Sequence, residues 1–166
     1  MERYIYAYDL ERKDGEVFFV FRAFPEIISA VNEEEFNAWN RDEERAHAED
    51  AVVTALQAVI GSRSKLPASD DPDVVSARGF VHLLPQQAMK LQLFTVYTAN
   101  CRSISDMARR IGKQDTAARR LLNLRHRSTT DEIVEALARF GIQLRHGWGT
   151  EQLSSSARVR RQNSIA

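Results

Sequence analysis

The stretch from residue 103 to residue 128 constrains the fold more than any other part of the chain. Its apolar residues recur where two short crossed helices must touch, and Gly112 stands where the turn between them needs a residue free of Cβ strain. The packing positions are Ile104, Met107, Ala108, Ile111, Ala118 and Leu121. This pattern predicts a helix-turn-helix, with a small residue at the crossing and a glycine four residues later.

The second helix of this pair is basic and is predicted to run from Gln114 to about Asn123. Arginine binds guanine bidentately, and glutamine or asparagine binds adenine in the same way, so its polar residues suit the reading of DNA. The predicted base contacts are Gln114, Thr116, Arg119, Arg120 and Asn123. The predicted phosphate contacts flank the helix and are Ser103, Lys113, Arg125, His126 and Arg127. A helical bundle that is rich in arginine but has no DNA function is the alternative.

Charge is distributed unequally along the 166 residues, although the formal net charge is zero. Residues 1–85 hold 9 Lys and Arg against 17 Asp and Glu, and residues 86–166 hold 14 against 6. The two halves therefore carry −8 and +8. A basic module is attracted to phosphate backbones, whereas an acidic module suits a basic protein partner. We expect two modules with different partners; two solvated domains with unrelated surface charge are the alternative.

The first half predicts a small antiparallel sheet. Alternating residues favour a strand over residues 3–11, a turn that ends in Asp14-Gly15, and a second strand over residues 16–21. Pro25 is expected to end this hairpin, and residues 27–31 are a candidate third strand. A further strand over residues 80–84 is expected to return to the same sheet.

A helix and a long connection lie between these strands. Residues 32–45 are acidic and predicted to be irregular, and Asp42 is expected to cap a helix that Gly61 ends. Residues 62–77 resemble a linker. Its carboxylates are Asp70, Asp71 and Asp73, and they are interpreted as part of a solvated loop, because the glycine and distal glutamate of a calcium loop are missing.

The second half predicts two further helices, over residues 86–100 and 130–140. Residues near Ile133, Leu137 and Phe140, or the chain after Gly141, are candidate dimer contacts, because repressors of this kind commonly dimerise to read two half-sites. The predicted organisation is a domain over residues 1–85, a DNA-binding domain over residues 86–149, and a flexible basic tail over residues 150–166.

The composition narrows the classes of function. A single cysteine, Cys101, excludes an internal disulfide and is interpreted as a small packing residue in a reducing compartment. Charged residues interrupt the N-terminus and no apolar run is long enough for a membrane span, so we expect a cytoplasmic protein. No zinc spacing, catalytic triad order or phosphate-binding glycine loop is present, so no catalytic residue, metal or cofactor is predicted.

The order of these segments, from residue 3 to about residue 144, resembles that of the HicB-type antitoxins. The matching segments are YAYDLERKDGEVFFVFRAFPEI, ERAHAEDAVVTALQAVI, FVHLLPQQAMKLQLF and ISDMARRIGKQDTAARRLLNLRHRSTTDEIVEALARFG, of which LNLRHRS is the most specific. The resemblance implies an α+β protein: a degenerate RNase H-like αβ domain, with a small antiparallel sheet plus helix, followed by an all-α helix-turn-helix domain. It also implies a HicA-like, mRNA-cleaving toxin as partner and operator DNA as second ligand. The reading of two half-sites predicts a homodimer or higher homo-oligomer. The residues that contact the toxin are not assigned.

Three functions remain open at this point. The first is a toxin-neutralising repressor, the second a ligand-sensing helix-turn-helix transcription regulator without a toxin partner, and the third a residual nuclease. Asp9 and Glu11 share one face of the first strand, but the other predicted strands hold no strong acidic partner for a metal pair. Trp39 is interpreted either as a satellite core residue or as an interface anchor.

Overall fold

A four-stranded antiparallel sheet forms the first part of the chain. The computed structural model describes residues 4–142, apart from the side chain of Ile28. Within them the fold is mixed α+β, with six helices and the strands β1 (Ile5–Lys13), β2 (Glu16–Phe21), β3 (Phe24–Asn32) and β4 (Gly79–His82). The strand order is β3-β2-β1-β4. The predicted hairpin is confirmed, and so is the return of the strand near residue 80, which pairs with β1.

The β1–β2 turn follows from two residues. Asp14 and Gly15 have φ angles of 53° and 79°, and a two-residue hairpin turn of this kind needs φ above zero at both positions. Pro25 does not end the hairpin as expected, because it lies inside β3. β3 is an edge strand, where a missing N–H is tolerated.

Residues 33–38 and 41–45 are helical, which corrects the prediction of an irregular segment over residues 32–45. Helix α1 (Glu33–Ala38) is capped by Asn32, whose side chain accepts from the Glu34 N–H at 2.9 Å. Helix α2 (Arg41–Ser62) is capped by Asn40 and not by Asp42. Asn40 forms a capping box with Glu43, so two backbone donors of the first turn are satisfied.

Helix α2 packs across one face of the sheet. Its Ala48, Val52 and Leu56 have no exposed surface and share a core with the aromatic residues of β1 and β2, namely Tyr6, Tyr8, Phe19 and Phe21. The helix does not stop at Gly61, because the left-handed residue that ends it is Arg63, with φ 55°.

The connection from α2 to β4 is bound to the sheet. β1 extends beyond the end of β2, which would leave the backbone donors of Ile5 and Ala7 without strand partners. The Ser69 hydroxyl accepts from the Ile5 N–H, and the Asp70 carboxylate accepts from the Ala7 N–H, both at 2.8 Å. The Asp70 N–H also donates to the Ile5 carbonyl at 2.8 Å. Asp70 is therefore a structural residue and not part of a solvated loop.

Four helices follow the sheet: α3 (Pro85–Asn100), α4 (Ile104–Ile111), α5 (Asp115–Leu122) and α6 (Thr130–Arg139). Ile133 and Leu137 of α6 have no exposed surface and belong to the core of the chain itself, so they are wrong as candidate dimer contacts. Phe140 is half-buried beneath the Arg110 guanidinium. The predicted tail over residues 150–166, and residues 143–149 before it, lie outside the described residues. Among the described helices, none combines the length and apolar character needed to cross a membrane.

Candidate nucleic-acid interface

Helices α4 and α5 pack against each other through the residues that the spacing predicted. Met107, Ala108 and Ile111 of α4 and Ala118 and Leu121 of α5 are at most 3% exposed. Gly112 ends α4 with φ 69°, a conformation that favours glycine. Two residues, Lys113 and Gln114, separate it from the first residue of α5.

The side of α5 that faces away from α4 carries a polar row. Thr116, Arg119, Arg120 and Asn123 are all exposed and follow the i, i+3, i+4, i+7 spacing of one helix face. Gln114 is exposed too, but it occupies the N-cap position and lies off this row. Arg119 and Arg120 form no ion pair with any residue between 4 and 142. Two guanidinium groups therefore remain available on the surface.

The residues predicted to flank this helix differ in their surroundings. Ser103 caps α4 by accepting from the Asp106 N–H, and Lys113 is half-buried with its ammonium 3.5 Å from Glu135. His126 is half-buried, with Nδ1 3.4 Å from the Ser128 hydroxyl. Arg127 is exposed and forms no ion pair within the described part of the chain. Of these four, Arg127 is the best placed to meet a phosphate.

Arg125 contacts the first half of the chain. Its guanidinium donates to Asp50 at 2.7 Å and to the Thr54 hydroxyl at 2.6 Å, both on α2. The hydrogen bond from Arg125 to Asp50 holds the pKa of the Asp50 carboxyl below its ordinary value. The Leu124 N–H next to it donates to the Gln57 side chain at 2.9 Å. The LNLRHRS segment therefore attaches α5 to α2, a role that its sequence did not predict.

Lys90 is a buried cation that the sequence analysis missed. It lies on α3 with no exposed surface, and its ammonium donates to the carbonyl oxygens of Asn123 and His126, each at 2.6 Å, and more weakly to that of Arg120 at 3.4 Å. These carbonyls belong to the C-terminal end of α5 and the turn after it, where helix carbonyls lack intrahelical partners. Burial lowers the pKa of the Lys90 ammonium to about 8. Lys90 therefore fixes the end of the helix that carries the polar row.

Arg63 makes a second connection between the halves. Its guanidinium lies 4.7 Å from the centre of the Tyr97 ring and donates to the carbonyls of Cys101 and Arg102 at the end of α3. The left-handed backbone at Arg63 that ends α2 therefore coincides with a side chain that caps α3. Cys101 itself is buried, in agreement with a packing role, and burial raises the pKa of its thiol.

The other buried charge lies between α2 and the sheet. Glu44 is 3% exposed and accepts from the Tyr8 hydroxyl at 3.0 Å, while Arg78 and Arg41 each approach it to 2.9 Å. The hydrogen bond from Arg78 lowers the pKa of Glu44 despite the opposing effect of burial. Burial, reinforced by Glu44, raises the pKa of Tyr8 to about 12. The cluster holds α2 against β1 and β4 with its charges paired.

The carboxylates considered for a nuclease are placed differently. Asp9 accepts from the Arg78 N–H at 2.8 Å, and Glu11 is exposed. In residues 4–142, no three His, Cys, Asp or Glu side chains group closely enough to hold a metal ion. Trp39 is half-buried, with its ring 5.7 Å from Phe36 and 5.1 Å from His47, as the satellite core interpretation predicts.

The polar row and the buried charges differ in how the sequence signals them. The period of a short amphipathic helix predicts the polar row, and the structure confirms that the residues of the row are exposed. Lys90 has one signal, a lone charge in the apolar run AMKLQLF, but its carbonyl partners lie 30 to 36 residues away in sequence. No protein-family model matches this chain, and no curated protein shows significant similarity to it. Contact of the row with DNA stays a prediction.

Proposed function

We propose that this chain is a DNA-binding regulator whose acidic half captures a basic protein, in the manner of a HicB-type antitoxin. The observation that carries the proposal is the exposed row of α5, in which Arg119 and Arg120 have no ion pair among the described residues. The opposite side of the helix is buried against α4, so α5 is fixed while its row stays accessible. A helix presented in this way suits entry into the major groove of DNA.

The charge split supports the second half of the proposal. Residues 1–85 carry −8, which disfavours phosphate backbones and steers a basic protein toward them. A protein that cleaves RNA needs a basic surface, so a toxin of that kind is the partner the acidic half fits. Neutralisation and operator binding then fall to different surfaces of one chain.

The DNA-binding part is tested with the DNA upstream of the gene that encodes the chain. Arg119→Ala should weaken specific binding by about 1–3 kcal/mol, which is about 5- to 150-fold in Kd. Arg45→Ala is the matched control, because Arg45 is an exposed arginine on α2, remote in sequence from the row. Fluorescence anisotropy at fixed salt measures both. Equal binding by the parent, the variant and the control excludes α5 as the reading helix.

A ligand-sensing regulator is the second candidate, because of one feature. An open groove of about 530 Å³ lies between α2 and residues 124–127, lined among others by Val53, Leu84 and Leu124. Release of bound DNA by the small-molecule fraction of a cell extract, and not by its protein fraction, would favour this candidate.

A further inference from the structure

The sheet has a second face that α2 does not cover. Two of the rows of side chains that the strand register places there are Glu11, Phe18 and Ala30 across β1, β2 and β3, and Asp9 and Val20 across β1 and β2. Val20 is 36% exposed, Ala30 is exposed and Phe18 is half-buried. Phe18 and Val20 do not belong to the hydrophobic core that unites the sheet with the helices.

The connection before β4 covers only one side of this face. Ile5 and Ala7 share the face, and they are 7% and 0% exposed where Ser69 and Asp70 bind β1. The cover ends at Asp9, which accepts from the Arg78 N–H. Beyond Asp9, Phe18 and Val20 of β2 and Ala30 of β3 face outward. An open apolar area therefore lies beside the covered area around Ile5 and Ala7.

Carboxylates border the open area along β1 and at the start of β2. Asp9, Glu11 and Glu16 lie on the same face as Phe18, Val20 and Ala30, and these six residues are called the outer-sheet patch. Lys13, opposite Glu16, is the one cation that the β1–β2 register adds to this face. An apolar centre with an acidic rim fits a protein surface that presents an apolar side chain among lysines and arginines.

We propose that the outer-sheet patch is the docking surface for a basic protein, in which an apolar side chain packs on Phe18 and Val20 while basic side chains pair with Glu11 and Glu16. The inference rests on the proposed function, since it names the surface by which the acidic half holds its partner. A second copy of the chain fits less well, because face-to-face contact would oppose the same carboxylates. Nucleic acid fits less well because its phosphates meet that rim.

The test uses the full chain and the purified product of a short basic reading frame next to its gene. Glu11→Lys/Glu16→Lys reverses the rim, and Val20→Ser removes apolar area at an exposed position. Glu34→Lys/Glu35→Lys is the matched control, because both residues are exposed on α1, and α1 packs on the opposite face through Phe36 and Phe19. Binding is measured by calorimetry and inhibition by RNA cleavage, and operator binding of each variant verifies that it is folded.

The rim reversal should weaken binding by at least about tenfold and Val20→Ser by about fivefold, while the control stays within about twofold. Parent-level binding by both patch variants would overturn the patch and leave the proposed function standing. An equal loss in the control would also overturn it, since charge alone would then suffice. If the parent does not bind the neighbouring product, both proposals fall. Self-association or nucleic-acid binding that the rim reversal abolishes would assign the patch to that occupant instead.

Discussion

Gly79 shows how a single residue decides the approach of two strands. It lies opposite Tyr8 in the β1–β4 pair, and a Cβ atom at this position would come within 2.6 Å of the Tyr8 ring. The ring has no free space to move into, because Tyr8 is 3% exposed and its hydroxyl is bound to Glu44. Gly79→Ala should therefore lower the free energy of unfolding by about 1–3 kcal/mol in urea titrations.

Gly61 is the matched control for this prediction. It lies inside α2 with ordinary helical backbone, and a Cβ there would meet no atom within 4 Å. Gly61→Ala should raise the free energy of unfolding by about 0.4–1 kcal/mol, because alanine restricts the unfolded chain. Destabilisation of similar size in both variants would contradict the close contact with Tyr8.

Glu44 makes stability depend on pH. Its pKa is lowered from 4.5 by the hydrogen bond from Arg78, so its contribution is complete above pH 4.5 and is lost as the pH falls through the lowered value. Glu44→Gln should lower the free energy of unfolding by about 1–3 kcal/mol at pH 7, since Arg78 loses its charged partner. The difference from the parent should shrink as the pH falls below 4.5. A difference that stays constant below pH 4.5 would contradict the paired carboxylate. Glu34→Gln, at an exposed position, is the control, and its difference from the parent should be small.

At the level of elements, the sequence predicts what depends on local periodicity. The α4–α5 pair and the β1–β2 hairpin were predicted because Gly112 and Asp14-Gly15 mark their turns. Helix α1 was missed because its six residues are too few for a period, and Asn32 and Asn40 were not recognised as the residues that cap the two helices. The Lys90 and Arg63 contacts were missed because their carbonyl partners belong to segments that only the folded chain brings close.

Lys90 binds the carbonyls at the end of α5, and this gives a prediction about the whole helix. Lys90→Met should lower the free energy of unfolding by about 1–3 kcal/mol, because the carbonyls of Asn123 and His126 lose their donor. In this variant, amide hydrogen exchange should become faster than in the parent, and more so in α5 than in α2. Unchanged exchange in α5 would contradict the anchoring role.

The pH dependence of this variant has a definite sign. The folded-state pKa of Lys90 is about 8, below its ordinary 10.5, so the unfolded chain binds more protons between these values. The stability of the parent relative to Lys90→Met should therefore rise with pH between 8 and 10.5. Urea titrations of both proteins at pH 7 and pH 10 measure this difference, and a fall would contradict the lowered pKa.

At the level of the whole molecule, the acidic and basic halves share one hydrophobic core and are also joined by polar contacts. The polar contacts are Arg125 with Asp50 and Thr54, Leu124 with Gln57, and Arg63 with the end of α3. The Arg125–Asp50 pair is half-exposed, and such pairs contribute about 0.2–1 kcal/mol. Because buried residues of both halves belong to one core, the division of the chain at residue 85 stays a prediction.

The separated halves test the boundary at residue 85. They also test the proposal that one half binds the basic protein and the other half binds DNA. Residues 1–85 contain the sheet, α2 and the aromatic core between them, so this fragment should fold alone. Its Tm should be lower than that of the parent, because the contacts of Arg63 and the part of the core shared with the second half are lost. It should bind and silence the product of the neighbouring basic reading frame, with association that slows as salt increases, because −8 of charge steers the encounter. Residues 86–166 should bind DNA and leave RNA cleavage by that product unaffected. Rescue of RNA by residues 86–166, and none by residues 1–85 with a folded circular dichroism spectrum, would reverse the assignment of the two halves.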